Sequence, residues 1–151
     1  MTTLLATNLI VHVMLGVIGT TFYYMVWRDG LKKQPNIKWL QALSLSGTIS
    51  YILAWISGGY YYLIYYGGAV KPIIKAGAYP WVHSVIMEAK EHVFFFLPIL
   101  AIVVTLLWWI LPDDMQQEPK LKQAVVGLSG VISLIGIGMI LSGILISGAV
   151  R

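Results

Sequence analysis

Two histidines stand inside stretches that are otherwise apolar: His12 in segment 3–27 and His92 near the head of segment 84–111. An imidazole in a membrane-length segment is costly to place there, and marks a functional site by default. Two imidazoles can ligate one iron from opposite sides, the axial arrangement of a haem b. Glu88, Lys90 and Glu91 surround His92. Glu88 lies four residues before His92 and three before Glu91, so on a helix the three share a face. Carboxylate and imidazole on one face suit iron, zinc or copper, and a quinone head is the other ligand to weigh there. Glu88 could instead hold a ring nitrogen of His92 and orient it. Lys90 points elsewhere, toward a haem propionate or a lipid phosphate. His83 is nine residues from His92, half a rotation round a helix, and reads as interfacial. The plainer reading keeps His12 and His92 as interfacial residues bonded to a neighbour or to water, and the charged run as a solvated turn.

The elements that must position these residues are membrane spans. The chain has 151 residues, 58% hydrophobic and only 11% charged, against about 25% charged in an ordinary soluble domain. Four segments, 3–27, 39–66, 84–111 and 124–150, each exceed the ~20 residues that cross a bilayer. The expected fold is all-α: a four-helix up-down transmembrane bundle forming one domain over 1–151. Tyr60, Tyr61, Tyr62, Tyr65 and Tyr66 read as an aromatic belt ending the second span. A loop is expected from Gly67 to Pro80. The start at Met1, Thr2 and Thr3 lacks a basic region and reads as the head of the first span, not a signal peptide.

Basic residues set the expected orientation. Arg28, Lys32, Lys33, Lys38, Lys120 and Lys122 fall on one side, and Lys71, Lys75 and Arg151 on the other, with Lys90 at the membrane edge. The positive-inside rule then puts both termini on the non-cytoplasmic side.

An internal echo accompanies the spans. Leu45-Ser46-Gly47-Thr48-Ile49-Ser50 resembles Leu128-Ser129-Gly130-Val131-Ile132-Ser133, and His12-Val13 resembles His92-Val93. The pattern reads as a duplicated two-helix hairpin, although compositional bias in small-residue membrane helices gives such matches too. His12 then lies ~24 Å above Arg28, and His92 ~31 Å above Asp113, at helical rise. Tilt or a kink at Pro98 would absorb part of that mismatch. Helices one and three sit diagonally, ~11–14 Å apart, a span two axial imidazoles can bridge. Gly16, one turn from His12, makes room for a flat macrocycle. Ser129, Ser133, Gly136, Gly143 and Ser147 form a small stripe on span four, which serves close helix packing equally well.

Several classes are excluded. Without cysteine there is no disulfide, thiolate metal site or covalent c-type haem. No nucleophile–histidine–acid set or glycine-rich phosphate loop is recognisable. The +4 charge lies in short loops and is no nucleic-acid signal.

With four spans plus His12 and His92, the chain resembles in architecture the small four-helix membrane cytochromes b. That resemblance implies haem b between helices and electrons passed between quinone and soluble carriers. The expected function is electron transfer through one haem b in the outer half of the bundle, held by His12 and His92 with Gly16 and Glu88 beside them. Expected partners are membrane lipid and the other membrane subunits of a respiratory or photosynthetic complex, or further copies of the chain. The rivals are a cofactor-free accessory subunit, and a metal or quinone site at Glu88, Glu91 and His92.

Overall fold

A computed structural model describes residues 2–150; Met1 and Arg151, the latter counted above among the outer basic residues, lie outside the described residues. It contains four helices long and apolar enough to cross a membrane, Thr3–Gly30, Ile37–Ala76, Val82–Ile110 and Pro119–Gly148. We name the segments α1 (Thr3–Gly30), α2 (Ile37–Tyr61), α3 (Lys71–Ala76), α4 (Glu88–Ile110), α5 (Asp114–Gln117) and α6 (Pro119–Gly148). Two π-helical stretches, Tyr62–Val70 and Val82–Met87, join α2 to α3 and lead into α4. The expected all-α up-down bundle is what the chain forms. α1 packs on α2 and α6, α4 packs on the same two, and α1 and α4 face each other across the diagonal.

The helix starts follow local chemistry. Thr2 accepts the Leu5 amide at 3.4 Å and Asn36 Oδ1 accepts the Trp39 amide at 3.1 Å, each satisfying an orphan donor. Pro119 opens α6 at a position whose amide would have no helical partner. The second span does not end at the tyrosines. Gly67 and Gly68 stay helical and the run continues to Ala76. Its reason is burial: Tyr66, Val70 and Ile74 recur every four residues and pack against Val82 and Ile146 in a small second core. That stripe outweighs the weak helix propensity of two glycines.

In the main core, Tyr23 is fully buried and its hydroxyl meets Thr48 at 2.8 Å, Thr105 at 3.3 Å and the Ala101 carbonyl at 2.7 Å. Thr48 and Thr105 bond each other at 2.8 Å, so one hydroxyl cluster joins α1, α2 and α4 in the apolar interior. A methyl on Gly47 would meet the Tyr23 ring at 2.8 Å, and one on Gly130 would meet Trp27 at 2.9 Å. Both glycines of the Leu-Ser-Gly echo thus turn to α1, so the echo has no two-fold packing to match it. At the opposite end from the termini, Asp29 takes Lys32 at 2.9 Å, Arg28 at 3.0 Å and the Trp39 indole at 3.1 Å. This fastens the α1–α2 turn.

Trp39 at one end and Tyr60 at the other bracket a hydrocarbon layer of ~30 Å. The end holding the termini is called outer, after the basic-residue count.

Candidate outer-end site

Interior faces are set by the bundle. On α1 the inward row is Gly19, Thr20, Tyr23, Val26 and Gly30, all buried. At helical spacing this row runs back through Gly16 to His12. On α4 the inward row is Leu97, Ala101, Val104 and Trp108. It runs back through Phe94 to Lys90, not to His92.

His12 lies flat on α2. Its Nδ1 is 2.8 Å from the Ala54 carbonyl, and a methyl on Gly58 would stand 2.6 Å from the ring. A carbonyl only accepts, so Nδ1 carries the hydrogen and Nε2 keeps the lone pair. Asn8 adds a parallel rung one turn outward, donating to the Ser57 carbonyl at 2.8 Å. Beside that rung an open groove of about 600 Å³ runs between the start of α1 and Tyr60.

Lys90, partly buried, enters the outer end from α4 on the α6 side. The Lys90 Nζ would stand 3.5 Å from a methyl on Gly143, an ordinary contact that places the ammonium beside α6. Lys90 has no carboxylate in ion-pair contact; among the described residues the ion pairs are those of Asp29. Lower on the α1–α6 seam, Gly136 packs against Thr20 and Tyr51. One turn outward on α1, nothing stands within 4 Å of the methyl position on Gly16.

His92 takes the opposite face. It is exposed, as are Glu88, Phe95 and Phe96, and its Nδ1 bonds the Glu88 carbonyl at 2.6 Å. Two residues are ~200° apart on a helix, so His92 points away from the interior that Lys90 enters. The expected pairing of His12 with His92 on one iron is therefore corrected: the two rings do not share a face, and these residues do not fit one haem b between them. Glu88 does hold His92, but through its backbone carbonyl and not its carboxylate. Gly16 has nothing within 4 Å of its methyl position. The metal form of the rival site at Glu88, Glu91 and His92 is not assembled: among the described residues no group of three His, Cys, Asp or Glu could hold a metal ion. Of the span-four stripe, Ser129, Ser133 and Gly136 are buried in the bundle, whereas Ser147 is exposed.

His83, read as interfacial, is 1% exposed and bonds the Tyr66 hydroxyl at 2.9 Å. The Tyr62 ring stacks on Tyr66 at 5.4 Å. The two π-helical stretches thus meet at a Tyr–His pair. One signal could have found it: Tyr66, Val70 and Ile74 form a helical stripe aimed at the segment carrying His83. Trp55 packs on Phe94 and Phe95, and its indole nitrogen is buried without a hydrogen-bond partner.

No protein-family model matches the chain, and comparison with curated proteins and with solved structures finds no match. The functional reading therefore rests on the site's chemistry alone. That end of the bundle offers one ammonium donor, one imidazole acceptor and open space at Gly16.

Proposed function

We propose that the protein is a membrane electron-transfer subunit that binds the head group of a quinol or quinone between α1, α4 and α6. The observation that carries this reading is His12, whose Nδ1 is taken by the Ala54 carbonyl and whose Nε2 is left to accept, with Lys90 on the inward row of α4 at the same end of the bundle. The ammonium donates to a quinone oxygen, and His12 Nε2 accepts the O–H of a quinol. A phosphodiester has no O–H to give that nitrogen. The opening beside Gly16 admits an amphiphile from the lipid. Below it, the Tyr23–Thr48–Thr105 cluster and buried Trp108 close the interior, which favours exchange at one face over passage through the bundle. Little of the chain lies outside the membrane, so the electron acceptor belongs to a partner subunit.

Binding of a short-chain benzoquinone, titrated into the full chain in phosphatidylcholine nanodiscs, tests this. Lys90→Met and His12→Ala should each weaken it ~10–100-fold, the loss of one hydrogen bond to a charged or buried group. His92→Ala should leave it unchanged. Equal affinity in all three variants overturns the site.

A second reading is favoured by the His12 tautomer: Nδ1 held by a backbone carbonyl orients an imidazole for iron through Nε2. There, haem b takes one ligand from this chain and the other from outside it. A sharp reduced α-band, lost in His12→Ala and kept in His92→Ala, supports it; a featureless visible spectrum removes it.

A further inference from the structure

At the inner end, the α1–α6 seam is closed by direct contact. A methyl on Gly30 would meet Val126 at 2.5 Å, and one on Gly130 would meet Trp27 at 2.9 Å. Two exposed rows flank that contact. On α1, Tyr24, Trp27, Arg28 and Leu31 are exposed at three- and four-residue spacing, turned away from the buried row of Tyr23, Val26 and Gly30. On α6, Lys120, Gly127 and Leu134 recur every seven residues on one face and are exposed. Nothing stands within 4 Å of the methyl position on Gly127. With Ala124, also exposed, it leaves a shallow channel of small residues beside the Trp27 ring, edged by Leu134.

Cations stand at the head of this channel. Trp27 and Trp39 mark the head-group level, and the Trp39 indole bonds Asp29 there. Asp29 is one carboxylate shared by two cations, Arg28 at 3.0 Å and Lys32 at 2.9 Å, whose side chains stay 53% and 63% exposed. Arg28 spends Nε and Nη2 on Asp29 and keeps Nη1 to donate. Lys122 reaches the same end from α6: its Nζ donates to the Lys32 carbonyl at 3.3 Å, so its charge meets a backbone oxygen and not a carboxylate. The remaining carboxylates of this end do not answer these cations, since among the described residues every ion pair is made by Asp29. Glu118 starts α6 and is exposed. Asp113 and Asp114 belong to the turn after α4, the helix diagonal to α1. Cations with spare donors suit a phosphate, and the apolar channel directly below them suits a chain attached to it.

We infer that this seam binds one anionic phospholipid, its diester phosphate taken by Arg28 and Lys120 with Lys122 behind them, and an acyl chain laid over Ala124 and Gly127 against Trp27. The inference goes beyond the quinol site, which lies at the other end of the bundle and uses other residues.

Lipid titration of the full chain in detergent micelles, read by native mass spectrometry, tests this. Dioleoylphosphatidylglycerol should bind about tenfold more tightly than dioleoylphosphatidylcholine, the expectation for juxtamembrane cations facing a net negative head group. Lys120→Gln should lower the phosphatidylglycerol affinity about fivefold. Gly127→Leu fills the channel without touching charge and should weaken both lipids. Lys38→Gln removes the same charge at the same end but on α2, across the bundle, and should change nothing. Melting transitions check that each variant is folded; should Lys120→Gln melt early, Gly127→Leu decides, because its side chain enters open space. Equal binding of the two lipids, or equal losses for Lys120→Gln and Lys38→Gln, would reduce the seam to a diffuse basic rim and overturn the inference. Phosphatidylglycerol binding untouched by Gly127→Leu, or displaced by millimolar glycerol phosphate, which carries no chains, also overturns it.

Discussion

Tyr23 and His83 each carry a polar group into an interior that has little else to offer it. Tyr23→Phe removes the hydroxyl from a cluster whose other members, Thr48 and Thr105, still bond each other. The expected loss is therefore modest, about 0.5–1.5 kcal/mol, read from unfolding in mixed detergent micelles. Tyr66→Phe should cost more, about 1–3 kcal/mol in the same assay, because it strands a buried ring nitrogen of His83. Equal losses for the two would mean that His83 finds water. The histidines also show where residue-level reading stopped. His12 and His92 were visible as polar groups in apolar spans, but their directions were not. A membrane helix is apolar toward lipid and toward its neighbours alike, so its hydrophobic pattern carries little phase. The phase lay instead in small and polar residues: Ala101 and Thr105 mark the inward side of α4, and the same row leads to Lys90.

At the scale of helices, the α1–α6 seam is tight in its inner half and open in its outer half. Gly136→Leu drives a branched side chain into Thr20 and Tyr51 and should destabilise by about 1–3 kcal/mol. Gly138→Leu, two residues on and on the other side of the helix with nothing within 4 Å, is the matched control and should be near neutral by thermal shift in the same micelles. Comparable melting of the two variants would place the stripe against lipid. Four spans were legible from length and apolarity alone, since nothing else in a short chain produces four such runs. The extension of the second to Ala76 was not. Tyrosines prefer the head-group level, which suggested an end there, whereas the burial of Val70 and Ile74 depends on Val82 and Ile146, which lie beyond the next turn and at the far end of the chain.

For the whole molecule, the expected orientation is a separate claim from the fold. Arg28–Lys38 and Asp113–Lys122 are expected in the cytoplasm. Introduced cysteines report this directly, as the chain has none of its own. Lys33→Cys should resist an impermeant maleimide in intact cells while Ala78→Cys reacts; the reverse pattern would turn the molecule over.

The hydroxyl cluster at Tyr23 also bears on how the chain is made. Synthesis delivers α1 and α2 to the bilayer before α4 exists. At that stage Tyr23 has Thr48 for company, but Thr105 and the Ala101 carbonyl have yet to arrive. The nascent hairpin thus shows lipid a polar seam that α4 later covers. A chain truncated before residue 88 keeps that seam open, and should be short-lived in a pulse-chase beside the full-length protein.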